Sequence, residues 1–222
     1  MAHMSALSYP KKSHRKVVRL PVESIELAEF FGIMIGDGGI NNLWQANVTL
    51  NTVADAQYIT HVVALIERLF YATPRVMARR TRKATVISLA STTVVDFLVR
   101  MGLPRGNKLK HGLKIPGWIL RQKAYKIACV RGLVDTDGCL VLHIHKVSNK
   151  KYWNLYLSFS SKSPVLLTQV ADILLETGLH PSFASNRREI YLYSAQCVKK
   201  YLSIVGTSND RIKRVYTKWR GG

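Results

Sequence analysis

Hydrophobic positions along this chain switch between a helical period and a strand period, and the whole series runs twice. The first apolar run closes on residues 30–38, FFGIMIGDG; Ser24 is suited to cap its helix, with Glu26 and Glu29 near the start. From Ile40 to Asn51 the spacing falls to two, with Val48 and Leu50 on one face and Asn47, Thr49 and Asn51 on the other. Ile59, Val62, Val63, Ile66, Leu69 and Phe70 then recur at helical spacing until Pro74. Residues 75–90 read as a hairpin with Arg79, Arg80, Thr81, Arg82 and Lys83 at its tip, and Val94, Val95, Phe97, Leu98 and Met101 predict a short closing helix.

Residues 102–120, GLPRGNKLKHGLKIPGWIL, are rich in Gly, Pro and Lys and read as a linker that Trp118 anchors. The series then restarts. A helix is predicted over 121–137, ending in VRGLVDTDG; Leu140, Leu142 and Ile144 alternate with Val141, His143 and His145; Leu155, Leu157 and Phe159 alternate with Asn154, Tyr156 and Ser158. Leu166, Val170, Ile173 and Leu174 mark a helix that Pro181 ends. Residues 183–193 form a second hairpin with Asn186, Arg187 and Arg188 at its tip, and Val198, Tyr201, Leu202 and Val205 make the last helix. The expectation is an α+β protein built as an internal αββαββα repeat, with halves at 21–101 and 121–206. A basic arm (1–20) and a basic tail (207–222) flank them; Met1–Met4 resembles a cloning remnant and is set aside. Asp137 follows Asp37 by 100 positions and Pro181 follows Pro74 by 107, so the second copy gains seven residues, expected in its first hairpin near 146–153.

Each helical run carries a small-xxx-small pair, Gly32/Gly36 and Gly132/Thr136, spacing that lets two helix backbones approach closely. An acid follows, Asp37 or Asp137, then a Gly expected to form a left-handed helix C-cap. Packed together, the helices would bring two carboxylates to two negative dipole ends, which a hard divalent cation such as Mg²⁺ would relieve. Composition points the same way: 33 Lys and Arg against 13 Asp and Glu give a formal charge of +20 and a pI near 10.2. That excess favours a nucleic-acid partner over a membrane, because the basic residues are not gathered on one helix face. Cys129, Cys139 and Cys197 are odd in number and lack a CxxC, which fits neither a disulfide framework nor a zinc site and suits a reducing intracellular setting. No secretory segment or membrane span is expected.

FFGIMIGDG and VRGLVDTDG resemble the two copies of the nonapeptide of the LAGLIDADG homing endonucleases, and the order of elements from about 22 to 206 resembles their compact single-chain members, including archaeal intron-encoded ones. The resemblance implies motif helices at the interface of pseudo-symmetric halves and two antiparallel four-stranded sheets forming a DNA-binding saddle. It implies a monomeric, site-specific endonuclease that hydrolyses one phosphodiester on each strand of double-stranded DNA and leaves 3′ overhangs. Asp37 and Asp137 would be catalytic and, with the carbonyls of Gly36 and Thr136, would hold Mg²⁺, with Mn²⁺ able to substitute and Ca²⁺ bound without supporting cleavage. Lys162 and Asn51 are carried over as residues that order the attacking water. Their other readings are an exposed helix-start lysine and an Asx cap.

The implied DNA-reading set is Asn47, Thr49, Arg79, Arg80, Arg82, His143, His145, Lys150, Lys151, Arg187 and Arg188. His143 and His145 share a strand face but have no third ligand for a transition metal. Tyr152, Trp153, Tyr191 and Tyr193 are expected in core or edge packing. Motif position six is Ile35 in one copy and Asp135 in the other, where it would serve helix-end hydrogen bonding; Arg131 at position two is expected to be tolerated at the outer helix end. An RNA maturase acting on intron RNA and a non-catalytic DNA-binding regulator of the same fold stand as alternatives. Intact motif acids favour the nuclease.

Overall fold

The computed structural model describes residues 7–8, 17–79 and 82–221, so most of the N-terminal arm, and Arg80, lie outside it. Two short strands, β1 (Leu7–Ser8) and β2 (Val18–Arg19), pair ahead of the first motif helix α1 (Ile25–Gly36). Ser24 caps α1 by accepting from Leu27 N–H at 3.1 Å. The first half continues with β3 (Gly38–Gly39), β4 (Gln45–Asn51), α2 (Ala56–Phe70), β5 (Arg75–Arg79), β6 (Ala84–Ala90) and α3 (Thr92–Arg100). After the short α4 (Gly117–Leu120), the second half runs α5 (Lys123–Asp137), β7 (Gly138–Val147), β8 (Lys150–Ser160), α6 (Pro164–Glu176), β9 (Ser182–Phe183), β10 (Glu189–Tyr193) and α7 (Ala195–Ile204).

The sheets are antiparallel, in the orders β3-β4-β6-β5 and β7-β8-β10-β9. Their registers coincide residue by residue. Gly38, Val48, Ile87 and Val76 form one row across the first sheet, and Gly138, Phe159, Ile190 and Phe183 form the matching row across the second. Pro74 and Pro181 each stand two residues before the last member of a row, so the repeat expected from sequence is a true pseudo-twofold. The first hairpin of the second copy is the longer one, since Gly38 meets Val48 but Gly138 meets Phe159. Ser148 and Asn149, both at positive φ, make its tight turn as type I′ turns require. The extra length carries Ile144 and Val147 beyond the core, where they are exposed.

Burial explains why α1 and α5 are weakly amphipathic. Leu27 through Ile35 are all buried, because α1 packs on α5, on α2 and on its own sheet. Trp118 of the linker is buried edge-on against Phe31 and Tyr125 and donates its indole N–H to the Met101 carbonyl. The basic segment 207–222 contains a further helix, α8 (Asp210–Arg220), which buries Ile212 and packs against β7.

Candidate active site and nucleic-acid interface

Two glycines fix the approach of the motif helices. A methyl group on Gly32 would lie 2.2 Å from the Cys129 carbonyl oxygen, and one on Gly132 would lie 2.3 Å from that of Glu29. The contact is therefore backbone on backbone, as the small-residue spacing predicts. Farther along, a methyl on Gly36 would fall 2.1 Å from Thr136 Oγ1 and 3.3 Å from Asp137 Oδ2, so the end of α1 rests against the end of α5. Thr136 turns its hydroxyl back onto its own helix, donating to the Gly132 or Leu133 carbonyl.

The glycines after the acids do something other than expected. Gly138 is extended (φ −87°, ψ 160°), Gly38 opens β3, and neither has positive φ. The left-handed caps are thus corrected. These positions need glycine because the chain turns from helix straight into strand over the last helical turn. A methyl there would meet the backbone of Met34 at 2.5 Å or of Val134 at 2.5 Å.

The acids share one electrostatic environment. Burial, and next the charge of Asp137, push the Asp37 carboxyl up to about 6. Burial also raises Asp137, opposed by Lys108. Lys108 is the residue that sequence reasoning missed. From the linker, its ammonium donates to the carbonyls of Ile35 (2.7 Å) and Gly36 (2.6 Å), with Met34 at 3.3 Å, covering the negative end of α1. Nothing in a segment that also contains Lys110 and Lys114 distinguishes this lysine. Arg211 of α8 has the matching role on α5, donating to the carbonyls of Asp135 and Gly138. The half-repeats extend to these cations: Gly102 and Gly206, both at positive φ, follow α3 and α7, and Lys108 and Arg211 come six and five residues later.

A second buried network locks the helices higher up. Glu29 accepts from Arg131 and from Ser208 Oγ (2.9 Å), and its carboxylate lies 2.9 Å from His61 Nε2. Burial alone would raise Glu29, but the bonds to His61 and Arg131 prevail and hold it near 2. Asp135 is pushed up to about 7 by burial, while it accepts from Thr207 Oγ1 and Ser208 N–H. Its carboxylate ties the C-terminal segment to the helix end.

A cavity of about 630 Å³ opens beside Asp137, lined also by Gly36, Lys108, Ser161, Lys162 and Arg188. Lys162 and Asn51 stand at equivalent places, each three residues past its row member Phe159 or Val48. Asn51 Oδ1 accepts from Val53 and Ala54 N–H, an Asx turn ahead of α2; the helix-cap reading is corrected, since Asp55 stands at the N-cap of α2. Among the described residues no group of three or more His, Cys, Asp or Glu could hold a metal. The donors available at the helix ends are carboxylates, carbonyls and water, a set that suits a hard divalent cation.

On the sheet faces away from the core, Asn47 and Thr49 lie beside Ser88 and Val86, with Ser88 Oγ donating to Asn47 Oδ1, and Arg79 follows on β5. Arg82, Lys150, Arg187 and Arg188 are exposed at hairpin turns, and exposed Lys151 lies on β8 beside the β7–β8 turn; Arg187 lies over the Phe183 ring. Arg188 lines the cavity, because the β9–β10 turn points toward the motif helices. His143, His145 and Tyr152 stack in sequence across β7 and β8. Tyr156, Tyr191 and Tyr193 cluster on the same outward face. The expectation of core or edge packing is therefore corrected for Tyr152, Tyr191 and Tyr193: strand parity turns them outward, with Tyr193 56% exposed.

Residues 124–218 match the family model of the LAGLIDADG-like domain. The I-LtrWI LAGLIDADG homing endonuclease bound to target DNA superposes with a TM-score of 0.57 at 9% identity, over 89% of each chain. The corresponding values for I-DmoI in complex with DNA and Mn are 0.52 and 17%, over 83% of this chain and 98% of that one. Full-length DUF199/WhiA from Thermatoga maritima shares the architecture (0.55, 15%), over 90% of this chain and 62% of its own. That match covers the second half of the chain, and the chain as a whole has the two-motif LAGLIDADG fold. Within that fold it is similar to the single-chain homing endonucleases.

Proposed function

We propose that the protein is a monomeric, site-specific double-strand DNA endonuclease that uses a divalent metal, Mg²⁺ first, to hydrolyse one phosphodiester on each strand and leave 3′ overhangs. The observation that carries this reading is the pair of carboxyls, Asp37 half-buried and Asp137 facing the cavity, held at the touching C-terminal ends of two glycine-packed helices between two sheets with cationic turns. Fold stability alone disfavours that pairing. Asp37 and Asp137, with the carbonyls of Gly36 and Thr136, would hold the metal, which when bound supplies Lewis acidity and an activated water. I-DmoI, of the same fold, has been solved with DNA and Mn and with DNA and Ca, which supports Mn²⁺ and Ca²⁺ as ions the site accepts.

The protein's own groups complete the site. Lys162 and Arg188 place positive charge beside Asp137, suited to the phosphoryl oxygens of one strand. Asn47, Thr49, Arg79, Arg82, His143, His145, Lys150, Lys151 and Arg187 would contact the duplex on either side, with Arg and Lys supplying salt-dependent affinity and the polar strand residues reading base edges.

The test is incubation of a plasmid carrying the host gene's uninterrupted insertion site with Mg²⁺ or with EDTA. Linear product only with Mg²⁺, lost in Asp37→Asn and Asp137→Asn, is expected. Bound but uncut plasmid in Mg²⁺ would overturn the reading in favour of the non-catalytic regulator, and binding of intron RNA in its place would favour the maturase.

A further inference from the structure

One carboxylate lies on the outward face of the second sheet, among cationic turns. Strand parity sends Ile190 and Leu192 into the core and leaves Glu189, Tyr191 and Tyr193 on the outer side. Glu189 also lines the cavity. In a chain of charge +20, with Arg187 and Arg188 directly before it, this acid has no salt bridge among the described residues. Its partner is a neutral hydroxyl: Tyr191 Oη donates to Glu189 Oε2. The bond pushes that hydroxyl up to about 12, so the proton stays on tyrosine. The Tyr191 ring in turn stacks on Tyr193, with centroids 5.2 Å apart. The first sheet has no such pair: Val86 and Ser88 flank the row member Ile87 as Glu189 and Tyr191 flank Ile190.

The hydrogen-bonding capacity of the pair is one-sided. With its proton directed at Glu189, Tyr191 Oη keeps only lone pairs, and a carboxylate has nothing else to offer. The unit therefore presents acceptors alone. Phosphates repel it, so it adds nothing to general DNA affinity. Base edges in the major groove discriminate. Cytosine offers the N4 amino donor, adenine offers N6 with the N7 acceptor beside it, and guanine and thymine turn acceptors outward.

We propose that Glu189 and Tyr191 form a base-reading pair that requires an amino group in the major groove, cytosine first and adenine second, at one position of the target. The inference rests on the reading that duplex DNA lies along these sheet faces. Guanine or thymine at that position sets lone pair against lone pair, so rejection selects as strongly as attraction. Tyr193 holds the Tyr191 ring and Tyr191 holds the carboxylate, which orients the acceptors before the duplex arrives.

The experiment is selection from a pool of duplexes with a randomised core, bound by the full-length protein in Ca²⁺ to avoid cutting and then sequenced. Wild type is compared with Glu189→Gln, Tyr191→Phe and Glu67→Gln. Glu189→Gln keeps the shape of the side chain and adds an amide donor; Tyr191→Phe removes the hydroxyl that holds the carboxylate. Glu67→Gln removes the same charge from an exposed place on α2. The expected result is one position at which wild type enriches cytosine over guanine and thymine. That preference should fall about tenfold in Glu189→Gln and by less in Tyr191→Phe, with the other positions kept. Guanine or thymine at the affected position, an unchanged profile in Glu189→Gln, a uniform flattening of all positions, or the same shift from Glu67→Gln each overturn the proposal.

The two readings fail separately. A cytosine preference that moves with Glu189, in a protein that leaves the plasmid intact in Mg²⁺, refutes the nuclease and spares the base-reading pair. Cleavage in Mg²⁺ with a base preference indifferent to Glu189→Gln does the reverse.

Discussion

Replacing Gly32 with alanine tests the helix contact on which the site depends. The added methyl would stand 2.2 Å from the Cys129 carbonyl oxygen and 3.0 Å from the Leu133 nitrogen. Both are backbone atoms of a helix buried on its other sides, so no side chain can swing away. An ordinary carbon–oxygen contact requires more than 3 Å, and the helices must part by about 1 Å at a point where neighbouring apolar side chains are already in contact. Overpacking of this kind costs about 3 kcal/mol at the upper end of its usual range, against which alanine recovers about 1 kcal/mol of helix propensity. The net loss is about 2 kcal/mol, or about 4–8 °C in Tm for a chain of this length. Thermal and urea unfolding in EDTA read this directly, with Gly117→Ala as the control, since a methyl there meets nothing within 4 Å. Gly132→Ala strains the same contact from the other side, so the double variant should lose less than the sum of the two singles. A Gly32→Ala protein as stable as wild type, or strictly additive losses, would refute the backbone-on-backbone contact.

Three other substitutions probe the electrostatics. Glu29→Gln should destabilise the protein by about 3 kcal/mol at neutral pH, leaving Arg131 half-buried without its partner. Because Glu29 titrates near 2 in the fold against 4.5 ordinarily, its contribution is present above pH 4.5 and lost as pH falls toward 2. Wild-type Tm should fall more steeply than the variant's across that window, and parallel curves would refute the pairing. Asp37→Asn should behave in the opposite sense. A carboxyl raised to about 6 destabilises the fold when ionised, so in EDTA the variant should match wild type near pH 3 and exceed it by about 1–2 kcal/mol above pH 6, a figure reduced for partial exposure. Melting at pH 3 and pH 8 checks it, and a less stable variant at pH 8 would show that the acid pair is not strained. Asn209→Ala should cost about 2–3 kcal/mol: the buried amide donates to Asp55 Oδ1 and to the Asp135 carbonyl, and its side-chain oxygen caps α8 at Arg211 N–H. Limited proteolysis should then release the segment beyond residue 207 first, and an uncleaved tail would argue against the docking.

The repeat was legible because periodicity is a local property. Val48 and Leu50 alternate with Asn47 and Thr49 whatever the rest of the chain does, and Gly32 and Gly132 announce a close helix contact through their spacing. The pair Asp37 and Asp137 could be named together because each ends such a helix. The placement of Lys162 and Asn51 at equivalent positions also follows from counting along strands. What counting could not supply were contacts between segments with no common period. Gly38 and Gly138 were read as left-handed caps because that is glycine's commonest service after a helix, whereas the fold uses them for clearance against Met34 and Val134. The outward tyrosines were read as packing because aromatic strand residues usually pack, and only the register of β8 against β10 shows which face they take.

By itself, then, the order of residues determined two halves, their helices and sheets, and a pair of acids at the join. The tertiary structure alone decided which cations sit at those acids. Lys108 lies more than seventy residues from the carbonyls it covers, and Arg211 more than seventy from its own. Their neighbours in sequence are equally basic. Selection among chemically identical lysines and arginines comes from where the linker and the last helix are held, and that is fixed by burial of Trp118 and Ile212, which carry no charge at all.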